Sequence, residues 1–121
     1  MLSLILVTGL ATTAWTGADS IIFSNLKILP KNISQKDLSR IMVDEFDDGL
    51  GVSCYFCHVE TKTTHKPDYA SDEKPEKQMA RSMMRMMLSI NKKYFGIKHP
   101  FIGDPQTVVS CITCHNGQAH P

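Results

Sequence analysis

The stretch CYFCH, residues 54–58, decides how this 121-residue chain is interpreted, because its pattern returns as CITCH at residues 111–115. The chain has four cysteines, and all four lie in these two pentapeptides. Two cysteines separated by two residues and followed at once by histidine are typical of c-type haem attachment. The two thiols bind one edge of the porphyrin, and the imidazole that follows reaches the iron. The sequence therefore predicts two covalently attached c-type haems.

Each pentapeptide supplies two thiols and one axial imidazole. The predicted sets are Cys54, Cys57 and His58 for haem 1, and Cys111, Cys114 and His115 for haem 2. Other uses of the cysteines fit less well. No βαβ pattern accompanies either pair, as a redox-active Cys-x-x-Cys would require, and residues 58–110 separate the pairs by more than a zinc ribbon allows.

The segment before the first motif is predicted to be a helix. Ser34 with Asp37 gives a start that resembles a capping box, and Gly49 and Gly51 supply the stop. The apolar residues of the segment share one helical face: Leu38, Ile41, Met42 and Phe46. Met42 is the candidate sixth ligand of haem 1, because no other methionine lies between the leader and Met79. The alternative is an ordinary core methionine, since methionine is a common gap-filler.

A second helix is predicted from about residue 76 to about residue 94, after a polar loop at residues 59–75. Ser71 or Asp72 would cap it, and Pro75 is tolerated in its first turn. No strand pattern is convincing anywhere in the chain. We therefore predict an all-α fold, in which two main helices are each followed by a haem turn and long loops, packed around two haems.

The second helix contains the run MARSMMRMMLSIN, residues 79–91, with five of the seven methionines. At about 100° per residue, one stripe is formed by Met79, Met83, Met86 and Ile90. Met87 and Tyr94 lie at its edge, and Met84 points away. The opposite face carries Lys77, Arg81, Arg85 and Lys92. Periodicity thus leaves three candidate ligands for haem 2, namely Met79, Met83 and Met86, and does not separate them.

Composition and charge narrow the functional classes. The chain is 42% hydrophobic and 21% charged, with a formal net charge of +1, as in a soluble globular protein of one domain. No basic field attracts nucleic acid. Residues 1–18 are apolar and end in small residues, which predicts a signal peptide or a weak N-terminal membrane anchor. Residues 19–121 would then form a dihaem domain in the periplasm.

From Phe23 onward the chain resembles the cytochrome subunit of photosynthetic reaction centres. The resemblance covers residues 23–121 and includes the runs FSNLKILPKNIS, GLGVSCYFCH, YASDEKPEKQMARSMMRM and SCITCHNGQAHP. That subunit is tetrahaem, and this chain is similar to one half of it, like the small dihaem members of the family. The resemblance implies that a helix before each motif supplies an axial methionine. It points to Met42 for haem 1 and to Met86 for haem 2, with Met83 in reserve.

These features predict an electron carrier rather than an enzyme. Methionine as the distal ligand raises the reduction potential and closes the iron to substrates. The expected partners are redox proteins, namely membrane respiratory complexes or a reaction centre. Two alternatives stay open: a dihaem peroxidase with one open haem site, and a subunit of a larger multihaem assembly in which His99 or the leader helix bridges chains. His65, His99 and His120 are expected on the surface, as is an acidic cluster formed by Asp44, Glu45, Asp47 and Asp48.

Overall fold

A computed structural model describes residues 23–121, so the predicted leader, residues 1–18, lies outside the described residues. The elements of the described part are helix α1 (Gln35–Ile41), a π-helical segment (Met42–Asp48), helix α2 (Cys54–Cys57), strands β1 (Val59–Glu60) and β2 (Pro67–Asp68), helix α3 (Pro75–Phe95) and helix α4 (Cys111–His115). The predicted helix-rich chain with long loops is confirmed. Two main helical segments are each followed, at a haem motif, by a short helix.

A small hairpin corrects the expectation of a purely helical chain. β1 and β2 pair antiparallel, with Val59 opposite Asp68 and Glu60 opposite Pro67. Strands of two residues are too short to give the alternating pattern by which a strand is recognised in a sequence. The hairpin follows the first motif directly, and it brings residues 67–70 back beside that motif.

The first helix begins where the sequence predicts. The Ser34 hydroxyl accepts the Asp37 N–H at 3.0 Å and donates to the Asp37 carboxylate at 2.7 Å. The helix runs on into the π-helical segment, and the chain turns at Gly51, whose φ is +65°. A Cβ atom at Gly51 would overlap the carbonyl oxygen of Gly117, so a larger residue does not fit. The close approach of Gly51 and Gly117 joins the end of the first helical segment to the end of the second haem motif.

Helix α3 starts at Pro75, one residue before the predicted position, but its predicted caps are wrong. Its N-cap is Lys74, which makes no side-chain capping bond. The Ser71 hydroxyl instead accepts the Glu73 N–H, and the Asp72 carboxylate pairs with cationic side chains. Pro75 suits the first helical position, because its fixed φ matches the helix and its missing N–H would have no partner within the helix.

The face that α3 turns to the protein differs from the predicted one. Met84 and Met87 are 6% and 5% exposed and belong to the core, whereas Met79, Met83 and Met86 are 60%, 40% and 51% exposed. The core is completed by Leu29, Ile41 and Ile102. The apolar stripe recognised from periodicity is therefore not the side of α3 that packs on the polypeptide, and Met84, predicted to point away, points inward.

Two cations share the buried face of α3. Lys77 and Arg81 are only 9% and 6% exposed, although the sequence placed both on the face opposite the apolar stripe. The Lys77 ammonium donates to the carbonyl oxygens of Tyr69 (2.8 Å) and Ser71 (2.5 Å). Buried charges are tolerated when they are paired and hydrogen-bonded, and a hydrophobicity pattern cannot detect such partners.

No helix within residues 23–121 is both long and apolar enough to cross a membrane. The described chain thus contains no membrane span, and the segment expected to act as leader or anchor is not among these residues.

Candidate haem sites

The first motif opens onto a cavity of about 870 Å³. Cys54, Cys57 and His58 line it, and Met42 lines it from the start of the π-helical segment. Short π-helical turns are frequent at functional sites. Helix α3 contributes Met84 to the same cavity, which links this helix to the first site as well as the second. The structure thus brings all four predicted residues of haem 1 to the wall of one cavity.

The donor groups of this cavity fit a haem. One ring nitrogen of His58, Nδ1, is buried with no hydrogen-bond partner in the described part of the chain, whereas buried polar atoms normally have one. Burial lowers the pKa of His58, and the Lys77 ammonium lowers it further. Burial raises the pKa of the Cys57 thiol, with Glu76 as the next cause. The neutral imidazole that results is the form that binds a metal.

A network of charged side chains lies next to the first site. The Asp72 carboxylate accepts from Lys27 at 2.9 Å, from the Arg81 guanidinium at 2.8 Å and from the Asn25 amide at 2.7 Å. These bonds, that of Lys27 foremost, hold the pKa of Asp72 far below its usual range. Arg81 also donates to the carbonyl oxygen of Asn25 at 3.1 Å. The network ties the segment near residue 25 to α3 across 56 residues of chain.

The second motif forms α4, and its histidine is oriented for a metal. Ser110 and Thr113 make a capping box at the start of the helix. At its end, Nδ1 of His115 lies 2.9 Å from the carbonyl oxygen of Gln118. A metal-ligating histidine usually donates its other ring N–H in this way, which fixes the tautomer and the ring orientation. The bond leaves Nε2 of His115 as the ring nitrogen that could bind a metal.

The π-helical segment that carries Met42 also holds the second motif. The Glu45 carboxylate accepts the backbone N–H of Cys111 at 3.2 Å, and the Gly49 carbonyl oxygen accepts the N–H of Gly117 at 3.1 Å. Burial raises the pKa of the Cys111 thiol to about 12, and the adjacent Glu45 carboxylate contributes to the rise. Both ends of the second motif are thereby attached to the π-helical segment and the glycine that ends it.

Asn91 fixes the chain that leads into the second motif. Its side chain is fully buried, and its amide oxygen accepts the N–H groups of Val108 (2.8 Å) and Val109 (3.0 Å). Its amide nitrogen donates to the carbonyl oxygens of Val109 (2.7 Å) and Met87 (3.0 Å). Sequence reasoning assigned Asn91 no role. The sequence does contain a signal for such a role. Asn91 shares a helical face with Met84 and Met87 and lies three residues before the end of the apolar pattern.

Comparison with known proteins agrees with this arrangement. Residues 10–121 match the family described as photosynthetic reaction centre cytochrome C subunit. The chain belongs to this family. It is 36% identical over 67 residues to cytochrome c-554 of Chloroflexus aurantiacus, an alignment that covers 55% of this chain and 14% of that relative. The chain therefore matches a small part of the relative's length. No solved structure matches it.

Membership of the reaction centre cytochrome family confirms the resemblance seen in the sequence. It supports a c-type cytochrome in electron transfer and implies covalently bound haem c. The four cysteines form no disulfide. Within residues 23–121, no three side chains of the His, Cys, Asp and Glu type are grouped to hold a bare metal ion.

The remaining candidate residues of the sequence analysis lie either on one of the two faces of α3 or at the protein surface. Met86 and Met83 lie on the exposed face and do not line the first cavity, whereas Met84 does. His65, His99 and His120 are exposed, as the sequence predicts. Glu45 departs from the predicted acidic surface cluster, because it is half-buried against Cys111, while Asp44, Asp47 and Asp48 are exposed.

Proposed function

We propose that this chain is a dihaem c-type cytochrome that carries single electrons between redox partners through two His/Met-ligated haems. The observation that carries the proposal is the cavity of about 870 Å³ into which Met42, Cys54, Cys57 and His58 all face. A thioether and an imidazole on one cavity, with two thiols beside the imidazole, are the complete protein contribution to a His/Met haem c. Met42 and His58 are the proposed axial ligands.

The second haem is proposed to attach at Cys111 and Cys114, with His115 and Met86 as axial ligands and Met83 in reserve. The outward face of α3 supports this, because apolar side chains are exposed there in a row: Met79, Met83 and Met86. Contiguous exposed apolar side chains are typical of a surface that a ligand or partner covers. A porphyrin between this face and α4 would cover it.

The reaction is electron transfer, and it needs no catalytic residue set. When bound, each haem supplies a one-electron iron couple, and the protein supplies ligands, burial and orientation. Met42 and Met86 are proposed to occupy the sixth positions and so to exclude peroxide from both irons, which argues against the peroxidase alternative. We propose residues 19–121 as an exported periplasmic domain, with residues 1–18 as signal or anchor. Its partners would be redox proteins, either respiratory complexes or a reaction centre.

The ligands can be tested with methionine variants of the haem-loaded protein. A methionine on ferric haem c gives a weak far-red absorption band, which is absent with other sixth ligands. Met42→Ala and Met86→Ala are each expected to remove about half of that band. Met79→Ala is the matched control, because Met79 lies on the same exposed face of α3 and is expected to leave the band intact.

Two results would contradict the proposed ligation. One is an unchanged band in both Met42→Ala and Met86→Ala. The other is a wild-type protein that turns over hydrogen peroxide without pre-reduction, since an open iron would then exist. If Met83→Ala removes the second half of the band and Met86→Ala does not, the reserve ligand replaces Met86.

A further inference from the structure

We propose that the protein binds an anionic membrane surface through the C-terminal end of α3 and the loop that follows it. The segment is KKYFGIKHPF, residues 92–101, and it combines cations with aromatic side chains. The ligand is the phospholipid headgroup layer, which this surface recognises by its phosphate charge. The inference goes beyond the proposed electron transfer, because it assigns a surface that would hold and orient the cytochrome on a membrane.

The lysines of residues 92–101 give this end of the protein a positive charge. Residues 77–103 contain six lysine and arginine residues and no aspartate or glutamate. Three of the six lie in the proposed surface and are exposed: Lys92, Lys93 and Lys98. In the part of the chain that the structure describes, none of these three forms an ion pair.

The carboxylates nearest in the sequence do not neutralise this charge. Glu76 lies in the first turn of α3, about 24 Å before Lys92 along the helix. Asp104 follows the surface, and its carboxylate accepts the N–H of Gln106 at 2.9 Å. Within residues 23–121, Asp104 takes part in no ion pair either. The charge of the surface is therefore that of its lysines.

An open groove brings part of this charge together. Its volume is about 480 Å³, and its wall comes from α3 and from the loop after it. Lys92, Lys98 and His99 line the groove beside the apolar side chains of Leu88 and Pro100. Ammonium groups on one wall can donate hydrogen bonds to the oxygens of a phosphate headgroup.

The groove is separate from the face of α3 proposed for haem 2. At about 100° per residue, Lys92 and Met86 project from the helix about 120° apart. A porphyrin on the methionine face would thus leave the groove uncovered, so the haem-loaded protein can use both surfaces.

Aromatic side chains are exposed next to the cations. Tyr94, Phe95 and Phe101 are 69%, 48% and 46% exposed. The Lys93 ammonium nitrogen lies 5.4 Å from the centroid of the Tyr94 ring. Lysines on a polar side with aromatic side chains beside them are typical of segments that lie in the membrane–water interface, where the lysine stem covers apolar surface and the ammonium stays among the headgroups. One segment thus offers both electrostatic and apolar contacts to a bilayer.

The kind of cation favours a membrane over an acidic protein. Protein–protein interfaces are enriched in arginine and depleted of lysine, and residues 92–101 contain three lysines and no arginine. An anionic bilayer attracts each lysine near its surface without requiring a fixed pairing geometry. A lysine-rich aromatic surface without carboxylates therefore fits a fluid anionic layer.

The test is co-sedimentation of the haem-loaded full chain with lipid vesicles, with the bound protein measured on gels. One set of vesicles is phosphatidylcholine alone, and in the other phosphatidylglycerol replaces part of it. Wild type is expected to prefer the anionic vesicles and to lose most of this preference at 1 M salt, where the Debye length is about 3 Å. Lys92→Gln combined with Lys98→Gln is expected to weaken binding to anionic vesicles about 25-fold, since each lysine near such a surface contributes roughly a factor of five.

Two further variants separate the local surface from overall charge. Lys31→Gln combined with Lys36→Gln removes two exposed lysines far along the chain from this surface and is expected to leave binding nearly unchanged. Phe101→Ala is expected to weaken binding about fivefold at low and at high salt alike, because its contribution is apolar. Both lysine variants change exposed positions and are expected to melt with wild type.

Several results would overturn the inference. One is a wild type that does not prefer anionic vesicles, and another is an equal loss of binding in the two lysine variants. Binding to neutral vesicles that Lys92→Gln with Lys98→Gln does not change would assign membrane attachment to residues 1–18 instead. Self-association or binding to poly-glutamate without vesicle binding, lost in the same variant, would assign the surface to a second copy or an acidic protein. Any of these failures leaves the proposed haem ligation untouched, because no haem ligand is changed.

Discussion

The two haem motifs have the same pattern and different surroundings. The first opens into a large cavity whose walls include residues of the first helix, the hairpin and α3, and a network of charged side chains lies next to it. The second is held by the π-helical segment and by a neutral amide, Asn91, on the buried face of α3. A shared motif thus predicts attachment chemistry, whereas burial and charge depend on which segments of the chain return to it.

The difference also shows how 121 residues can serve two large cofactors. The core of the described chain is small, with five buried apolar side chains: Leu29, Ile41, Met84, Met87 and Ile102. Small domains of this kind need a further source of buried surface or a covalent link. A haem bound in the cavity next to the first motif would supply such buried surface. We therefore expect haem 1 to contribute more to folding stability than haem 2.

Variants that lack one attachment site at a time test the difference between the two sites most directly. Cys54→Ser with Cys57→Ser is expected to lower Tm by about 10 °C more than Cys111→Ser with Cys114→Ser, roughly 2 kcal/mol for a domain of this size. Without haem 1, the side chains that line the first cavity lose the group that would pack against them. Loss of haem 2 uncovers surface that is already exposed in the polypeptide alone. Thermal melts of the two single-haem proteins measure the difference.

The two variants control for each other, because each loses two thiols and one haem. Equal loss of stability in both would contradict the larger contribution of haem 1 to folding, as would a larger loss in the second variant.

Asn91→Ala tests how the second site is held. It leaves the Val108 and Val109 N–H groups and the Val109 carbonyl oxygen without their partner, Asn91, in a partly buried region. We expect the free energy of unfolding to fall by about 3 kcal/mol. Denaturant unfolding measures it, with the exposed Asn32→Ala as the control. A loss no greater than that of Asn32→Ala would contradict the anchoring role of Asn91.

Asp72→Asn tests whether the charge of the Asp72 carboxylate stabilises the first site, in contrast to the neutral amide of Asn91 at the second site. The pKa of Asp72 is held low in the folded protein, so its stabilising contribution is complete above the unfolded carboxyl pKa of about 3.9. The contribution declines as the pH falls below that value and is lost as the pH passes the folded pKa. We therefore expect the Tm difference between wild type and Asp72→Asn to be constant from neutral pH to about pH 5 and to narrow below about pH 4.

The controls for this smaller effect are Asn91→Ala and Glu73→Gln. The deficit of Asn91→Ala should keep its size over the same pH range, since an amide does not titrate there. Glu73 is exposed, and Glu73→Gln should show little deficit at any pH. A deficit of Asp72→Asn that is independent of pH would show that its carboxylate charge does not stabilise the first site.

Much of the framework could be predicted from the sequence, because it depends on local signals. The Ser34 cap and the bounds of α3 follow from residues close in the chain, and the family follows from residues 23–121. The inward face of α3 could not be predicted in the same way. Lys77 and Arg81 are buried by partners at residues 25 and 69–72, and a pattern of hydrophobicity does not register hydrogen bonds to distant carbonyls.

The same reason explains what was missed at the sites. Glu45 and Cys111 are separated by 66 residues, and Asn91 acts on the chain 17 and 18 residues later. Helical geometry does place Met84 on the opposite side from Met79 and Met86. It does not say which of the two sides the polypeptide covers, since both carry methionine.

The most direct test of the central claim, two haems covalently held by one chain, is the intact mass of the denatured protein after maturation in a host that attaches haem c. Thioether bonds survive denaturation, so every attached haem remains on the chain. The account predicts the mass of the polypeptide plus two haems for wild type. It predicts one haem for each cysteine-pair variant. A wild-type mass that contains one haem or none would contradict it.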